Sequence, residues 1–153
     1  MSKIDLIVDQ LKRAFDGEAW HGPALMEILD GIEATTAAAR PLASAHSIWE
    51  LVLHVAAWER VVSRRIQGEA LTLTDEEDFG QVAGTTEKAW RDVVDGLRRN
   101  HSELVQAVSS LSDSRLSAQV PGKQYDFEFM LLGAVQHAAY HAGQIALLKR
   151  SRP

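Results

Sequence analysis

The sequence predicts an all-α fold, a four-helix bundle with short extra helical segments. Two observations predict it. Four long stretches repeat apolar residues at three- and four-residue intervals, the signature of helices with one buried face. Alternating patterns of the strand kind are weak throughout, and the breaks between stretches carry Gly, Pro and acidic residues. Long amphipathic helices joined in this way pack by default as an antiparallel bundle. With 153 residues, no internal repeat and no low-complexity tract, a single domain over 1–153 is expected.

The first stretch places Ile4, Ile7, Val8, Leu11 and Phe15 on one stripe, ended by Gly17. The segment WHGPALMEIL follows, with Pro23 suited to a first helical turn. It either continues the first helix after a kink or forms a short helix of its own. The second long helix has the clearest start. Ser47 and Glu50 form a capping box, in which each side chain satisfies a backbone amide that the helix leaves orphaned. Ile48, Leu51, Val55, Trp58, Val62 and Ile66 then keep the helical spacing until Gly68. Residues 69–84 are acidic and without a clear period, so they read as a long loop, a kind of segment that is often functional in a compact domain.

The third helix begins near Thr86 and buries Trp90, Val94, Leu97, His101, Leu104, Val108 and Leu111. The segment SDSRLSAQVPGKQYD breaks the pattern, with Pro121-Gly122 as a turn. Asp126 can cap the fourth helix, whose inward residues are Phe127, Met130, Leu131, Ala134, Ala138, Ile145 and Leu148. Lys149 and Arg150 suit the negative end of its dipole.

Charge and composition exclude several classes. The net charge is −5, and the basic residues Arg64, Arg65, Arg98, Arg99, Lys149, Arg150 and Arg152 are scattered over three segments. That is not the basic stripe of a nucleic-acid binder. There is no cysteine, which removes disulfides, thiolate metal sites and a cysteine nucleophile, and fits a reducing compartment. MSKIDLIVDQ lacks the layout of a signal peptide, and no apolar run approaches the roughly 18 residues that span a bilayer. A cytoplasmic protein without membrane contact is expected.

Within QHAAYHAGQI, His137 and His141 are four residues apart and therefore share one face of the last helix, inside its apolar stripe. Neutral imidazoles so placed can ligate a divalent ion, or each can donate to a buried carbonyl as an ordinary core histidine. His54, on or beside the buried stripe of the second helix, can be brought opposite the pair by bundle packing. Three histidines would leave coordination positions open, the catalytic pattern for zinc. The ligand set alone also admits nickel, iron, manganese and cobalt.

HSIWELVLHVAAWE (46–59) and GAVQHAAYHAGQIALLKR (133–150) closely resemble the DinB-like, or YfiT-type, metal-binding four-helix bundles. AWHGPALMEIL is similar to one branch of them, so the resemblance spans residues 19–150. It implies a divalent metal, zinc or nickel foremost, on His54, His137 and His141, and a homodimer formed through bundle helices. It also implies a small-molecule substrate. The reaction is either transfer involving a low-molecular-weight thiol (mycothiol, bacillithiol or glutathione) or metal-dependent hydrolysis. The alternative is a non-enzymatic metal- or ligand-binding bundle with a stress-response role.

Other residues carry competing readings. Glu50 is the back half of the capping box or a carboxylate that orients the His54 ring. Gln144 either touches a metal-bound water or packs between helices. His101 is a core-edge histidine or a proton carrier at the site. His21 and His46 belong to helix entries, with surface or capping roles favoured. Trp20, Trp49, Trp58 and Trp90 read mostly as core anchors. Trp49 and Trp58 fall on opposite sides of their helix, so one of them is free to face a partner chain. Substrate selection is expected from residues 69–84 and from the Pro121-Gly122 turn.

Overall fold

The computed structural model describes residues 1–151, and Arg152, one of the basic residues counted above, lies outside them. The described residues form seven α-helices and no named strand. Four are long: α1 (Lys3–Asp16), α4 (Ile48–Ile66), α6 (Glu87–Ser109) and α7 (Phe127–Arg150). Three are short: α2 (Leu25–Leu29), α3 (Ala34–Ala38) and α5 (Asp75–Phe79). The all-α class and the four long helices agree with the periodic stretches.

The ends of the helices follow local chemistry. Ser47 Oγ accepts from the Glu50 amide at 3.2 Å, and Glu50 Oε2 accepts from the Ser47 amide at 2.7 Å. Asp126 Oδ1 accepts from the Phe129 amide at 2.9 Å and starts α7. Gly17, at φ 144°, takes the chain out of α1 in a conformation that side-chain-bearing residues rarely adopt. The start of α1 is also held from a distance. Asp113, in a 3-10 turn, accepts from the Lys3 and Ile4 amides at 2.9 and 3.0 Å.

Three expectations need correction. WHGPALMEIL forms a short helix of its own, and Pro23 stands before its N-cap Ala24 rather than in its first turn. The stretch 69–84 carries α5, started by a second capping box between Thr74 and Glu77. Trp20 is fully exposed, at 101%, and anchors no core, because the break after Gly17 carries it away from the bundle.

The core forms two clusters along the bundle. One gathers Trp49, Val52, Val55, Trp90, Leu97 and Ile145. The other gathers Ile7, Leu11, Val62, Leu104, Phe127 and Leu131. Each fully buried Val or Leu contributes roughly 1.5–3 kcal/mol relative to exposure. On α7 the second cluster reaches Val135 and the first resumes at Ala142. His137 and His141 fall in the gap between them.

Candidate metal centre

His54 on α4 meets His137 and His141 because α4 and α7 pack against each other. Each histidine offers a ring nitrogen, and these atoms all lie within 4.8 Å of one another. Nε2 of His54 and Nε2 of His137 are 2.9 Å apart. Two nitrogens bound at about 2.1 Å and subtending about a right angle at one ion stand about 3 Å apart, so this pair has the separation of two ligands. The His137 and His141 rings stand at 76° with centroids 4.4 Å apart. His54 and His141 are buried and His137 is half-buried.

The outward ring nitrogens are already engaged. His54 Nδ1 donates to the Asp78 carbonyl oxygen at 2.8 Å and lies 3.2 Å from Asp78 Oδ1. His141 Nδ1 donates to Gln144 Oε1 at 2.6 Å. Each bond places the proton on Nδ1 and leaves Nε2 with its lone pair, the arrangement that orients an imidazole for a metal. Burial pushes the His137 imidazole down to about 3, helped by the neighbouring His141 and His54. Burial also lowers His141, although Gln144 opposes it. These two rings are therefore neutral at neutral pH, the form that ligates. The residues present fit a divalent ion.

α5 closes one side of the site. Phe79 lies flat on His54, and His46 lies flat on the other face of Phe79, with centroids 4.1 and 3.6 Å apart. Trp58 Nε1 donates to Asp78 Oδ1 at 2.6 Å. Gly80 ends α5 at φ 63°, and a Cβ there would stand 3.3 Å from Leu53 Cδ1 on α4. Only glycine brings the chain this close in this conformation. The loop expected to select substrate thus also supports a candidate ligand, and Asp78, Phe79 and Trp58 were not anticipated as site residues. The Thr74/Glu77 capping box was the available signal.

The remaining candidates separate. Glu50 is occupied by its capping box and by an ion pair with Arg40, so it does not orient His54. Gln144 orients His141 directly. His46 is exposed but reaches the site through Phe79, whereas His21 is exposed beside a different cavity. Trp49 is buried against Trp90, while half-buried Trp58 turns to Asp78. His101 is buried away from the three-histidine cluster, stacked on Phe15 at 3.7 Å. Its Nδ1 is 2.9 Å from Oε1 of Glu59, another residue the sequence reading missed. Burial raises the Glu59 carboxyl above its usual range, against the pull of His101.

Two cavities with separate linings touch the histidines. One of about 210 Å³ touches His137, Trp58, Arg65 and Tyr125. The other, of about 470 Å³, touches His141, Gln144, Tyr140, His46 and Phe79. The two segments expected to select substrate meet each other, with Lys123 Nζ donating to Thr72 Oγ1 at 3.1 Å.

A family model described as DinB superfamily matches residues 19–145, which include all three histidines. No curated protein matches this chain in sequence. A solved structure described as "the conserved protein of locus from Enterococcus faecalis" is similar in fold, with a TM-score of 0.70 at 18% identity. The match covers 99% of this chain and 97% of that one.

Proposed function

This chain belongs to the DinB superfamily, and on that premise we propose that it is a divalent-metal-dependent enzyme acting on a small molecule. Its metal ligands are His54, His137 and His141. The observation that carries this reading is the set of oriented imidazoles, two of them tied outward by Asp78 and Gln144. A zinc or nickel ion held there, or iron, manganese or cobalt, supplies Lewis acidity that activates a water, a thiol or a carbonyl.

The chain's own groups do the rest. Asp78 and Gln144 hold protons on the outward nitrogens and keep the inward lone pairs in place. Phe79 covers one face of His54 and keeps water from it. The chain has no cysteine, so a thiol nucleophile comes from solution. Two separate cavities, one at His137 and one at His141, support a reaction between two molecules, and we favour transfer involving a low-molecular-weight thiol over hydrolysis.

We also infer a homodimer through α7. Phe129, Tyr140 and Leu147 are 66, 66 and 63% exposed, and their spacings are close to whole helical turns, so they form one apolar stripe.

The test loads purified protein with zinc or nickel and assays conjugation of mycothiol, bacillithiol or glutathione to a chromogenic electrophile, alongside ester and amide hydrolysis. Turnover in the wild type that is lost in His141→Ala supports the enzyme. Background rates throughout, with metal verified as bound, leave a metal-binding bundle without catalysis.

A further inference from the structure

Among the described residues, Arg65 is a buried cation without a counter-ion. It lies in the last turn of α4 and is 2% exposed. Buried arginines are ordinarily paired with an acid, because an uncompensated charge in apolar surroundings is costly. None of the ion pairs among the described residues includes Arg65. Its acceptors are uncharged. Nε and Nη2 donate to the Leu71 carbonyl oxygen at 3.0 and 2.8 Å, and Nη1 donates to the Tyr125 hydroxyl at 3.0 Å. A guanidinium carries five N–H groups, so one on each terminal nitrogen is left over. The guanidinium carbon also lies 5.6 Å from the centre of a Trp58 ring.

Arg65, Tyr125 and Trp58 line the cavity of about 210 Å³ that His137 also lines. Val62, Met130 and Ala134 give it apolar walls. Glu59 lines the same cavity, yet its Oε1 is taken by His101 and burial opposes its ionisation. Its Oε2 has no hydrogen-bond partner, and no ion pair joins it to Arg65. An apolar cavity of about 150 Å³ suffices for benzene, so this one has room for a ring of that size and a carboxylate.

We infer that this cavity binds a small carboxylate with an apolar body of about the size of benzoate, its carboxylate on Arg65 and its other end toward His137. The fork of N–H groups suits a planar carboxylate, and the walls suit the body. This deepens the proposed function by naming a substrate class, and it rests on that reading only for what happens at His137.

Binding of benzoate and of uncharged benzyl alcohol is measured by calorimetry or tryptophan fluorescence on the full chain, zinc-loaded and chelator-stripped. A charged hydrogen-bonded contact predicts about tenfold or greater preference for benzoate in both metal states. Arg65→Gln should reduce the preference to about twofold or less, and Ala134→Phe, which intrudes on the cavity, should weaken both ligands. Should Arg65→Gln not fold, Arg65→Lys keeps the charge and loses the fork, and benzoate alone should weaken. No preference in the wild type, or a preference unchanged in the Arg65 variants, overturns the inference. So does benzoate binding that needs zinc and ignores Arg65, since the carboxylate would then sit at the histidines. A protein that binds no metal but keeps the preference upholds the cavity and sinks the metal-dependent reading.

Discussion

Phe79 lies on His54 with ring centroids 4.1 Å apart and planes 10° from parallel, and the carbonyl of the residue before it accepts the His54 Nδ1 proton. A five-residue helix outside the bundle therefore covers and orients a histidine that the bundle itself positions.

Metal content tests the three histidines first. His54→Ala, His137→Ala and His141→Ala should each lose near-stoichiometric metal by elemental analysis. For the wild type, an ion at 100 times its dissociation constant adds about 2.7 kcal/mol. Chelation should then lower the melting temperature by roughly 5–10 °C. Full metal retention by both α7 variants would remove them as ligands.

Gln144→Leu should keep the helix and lose the acceptor 2.6 Å from His141 Nδ1. Loss of such an outer partner typically costs 10–100-fold in metal affinity, read by competition with a chromogenic chelator. An unchanged affinity would show that the His141 ring is held by packing alone.

Gly80→Ala places a Cβ at φ 63°, 3.3 Å from Leu53 Cδ1. The strain should cost about 1 kcal/mol or more and lift α5. Metal should bind more weakly while the far-UV helical signal is retained. Wild-type affinity in this variant would separate α5 from the site.

His101→Leu leaves Glu59 buried without its hydrogen-bond partner, which should cost roughly 1–3 kcal/mol in chemical denaturation. Adding Glu59→Leu should recover much of that loss, because replacing both polar partners removes the unmet carboxyl. A double variant no more stable than His101→Leu alone would show that the loss does not come from the unmet Glu59 carboxyl.

Backbone amides of Ile4 and Lys3 hold the Asp113 carboxyl below its usual range. Its folded value is thus depressed relative to the unfolded one near 3.8. Its contribution is present above that value and is lost as pH falls through the folded one. Acid titration of the metal-free protein, followed by circular dichroism, should show a shallower loss of stability below about pH 4 in Asp113→Asn.

Most of the helical frame was legible in the residues. The Ser47/Glu50 box and the stripe from Ile48 to Ile66 fix α4 locally, and Asp126 does the same for α7. The metal candidates were legible too, since four residues on a helix define a face. What escaped depends on contacts between distant segments. Asp113 caps a helix 110 positions away. Asp78 acts on His54 through its backbone carbonyl, which any residue carries. Trp20 misled because an aromatic side chain favours burial in general, and its exposure follows from a chain break rather than from its own chemistry. Arg65 read as one charge among several in a last helical turn, and only its burial without an acid sets it apart.

α5 contributes no buried residue. Segments of that kind open at a small fraction of the free energy that unfolds a whole domain. Loading and release at the three histidines can then be governed by how frequently five residues lift away from α4. Residence time of a bound ion and lifetime of the fold would then be separate quantities, and a sluggishly unfolding protein would exchange such an ion quickly.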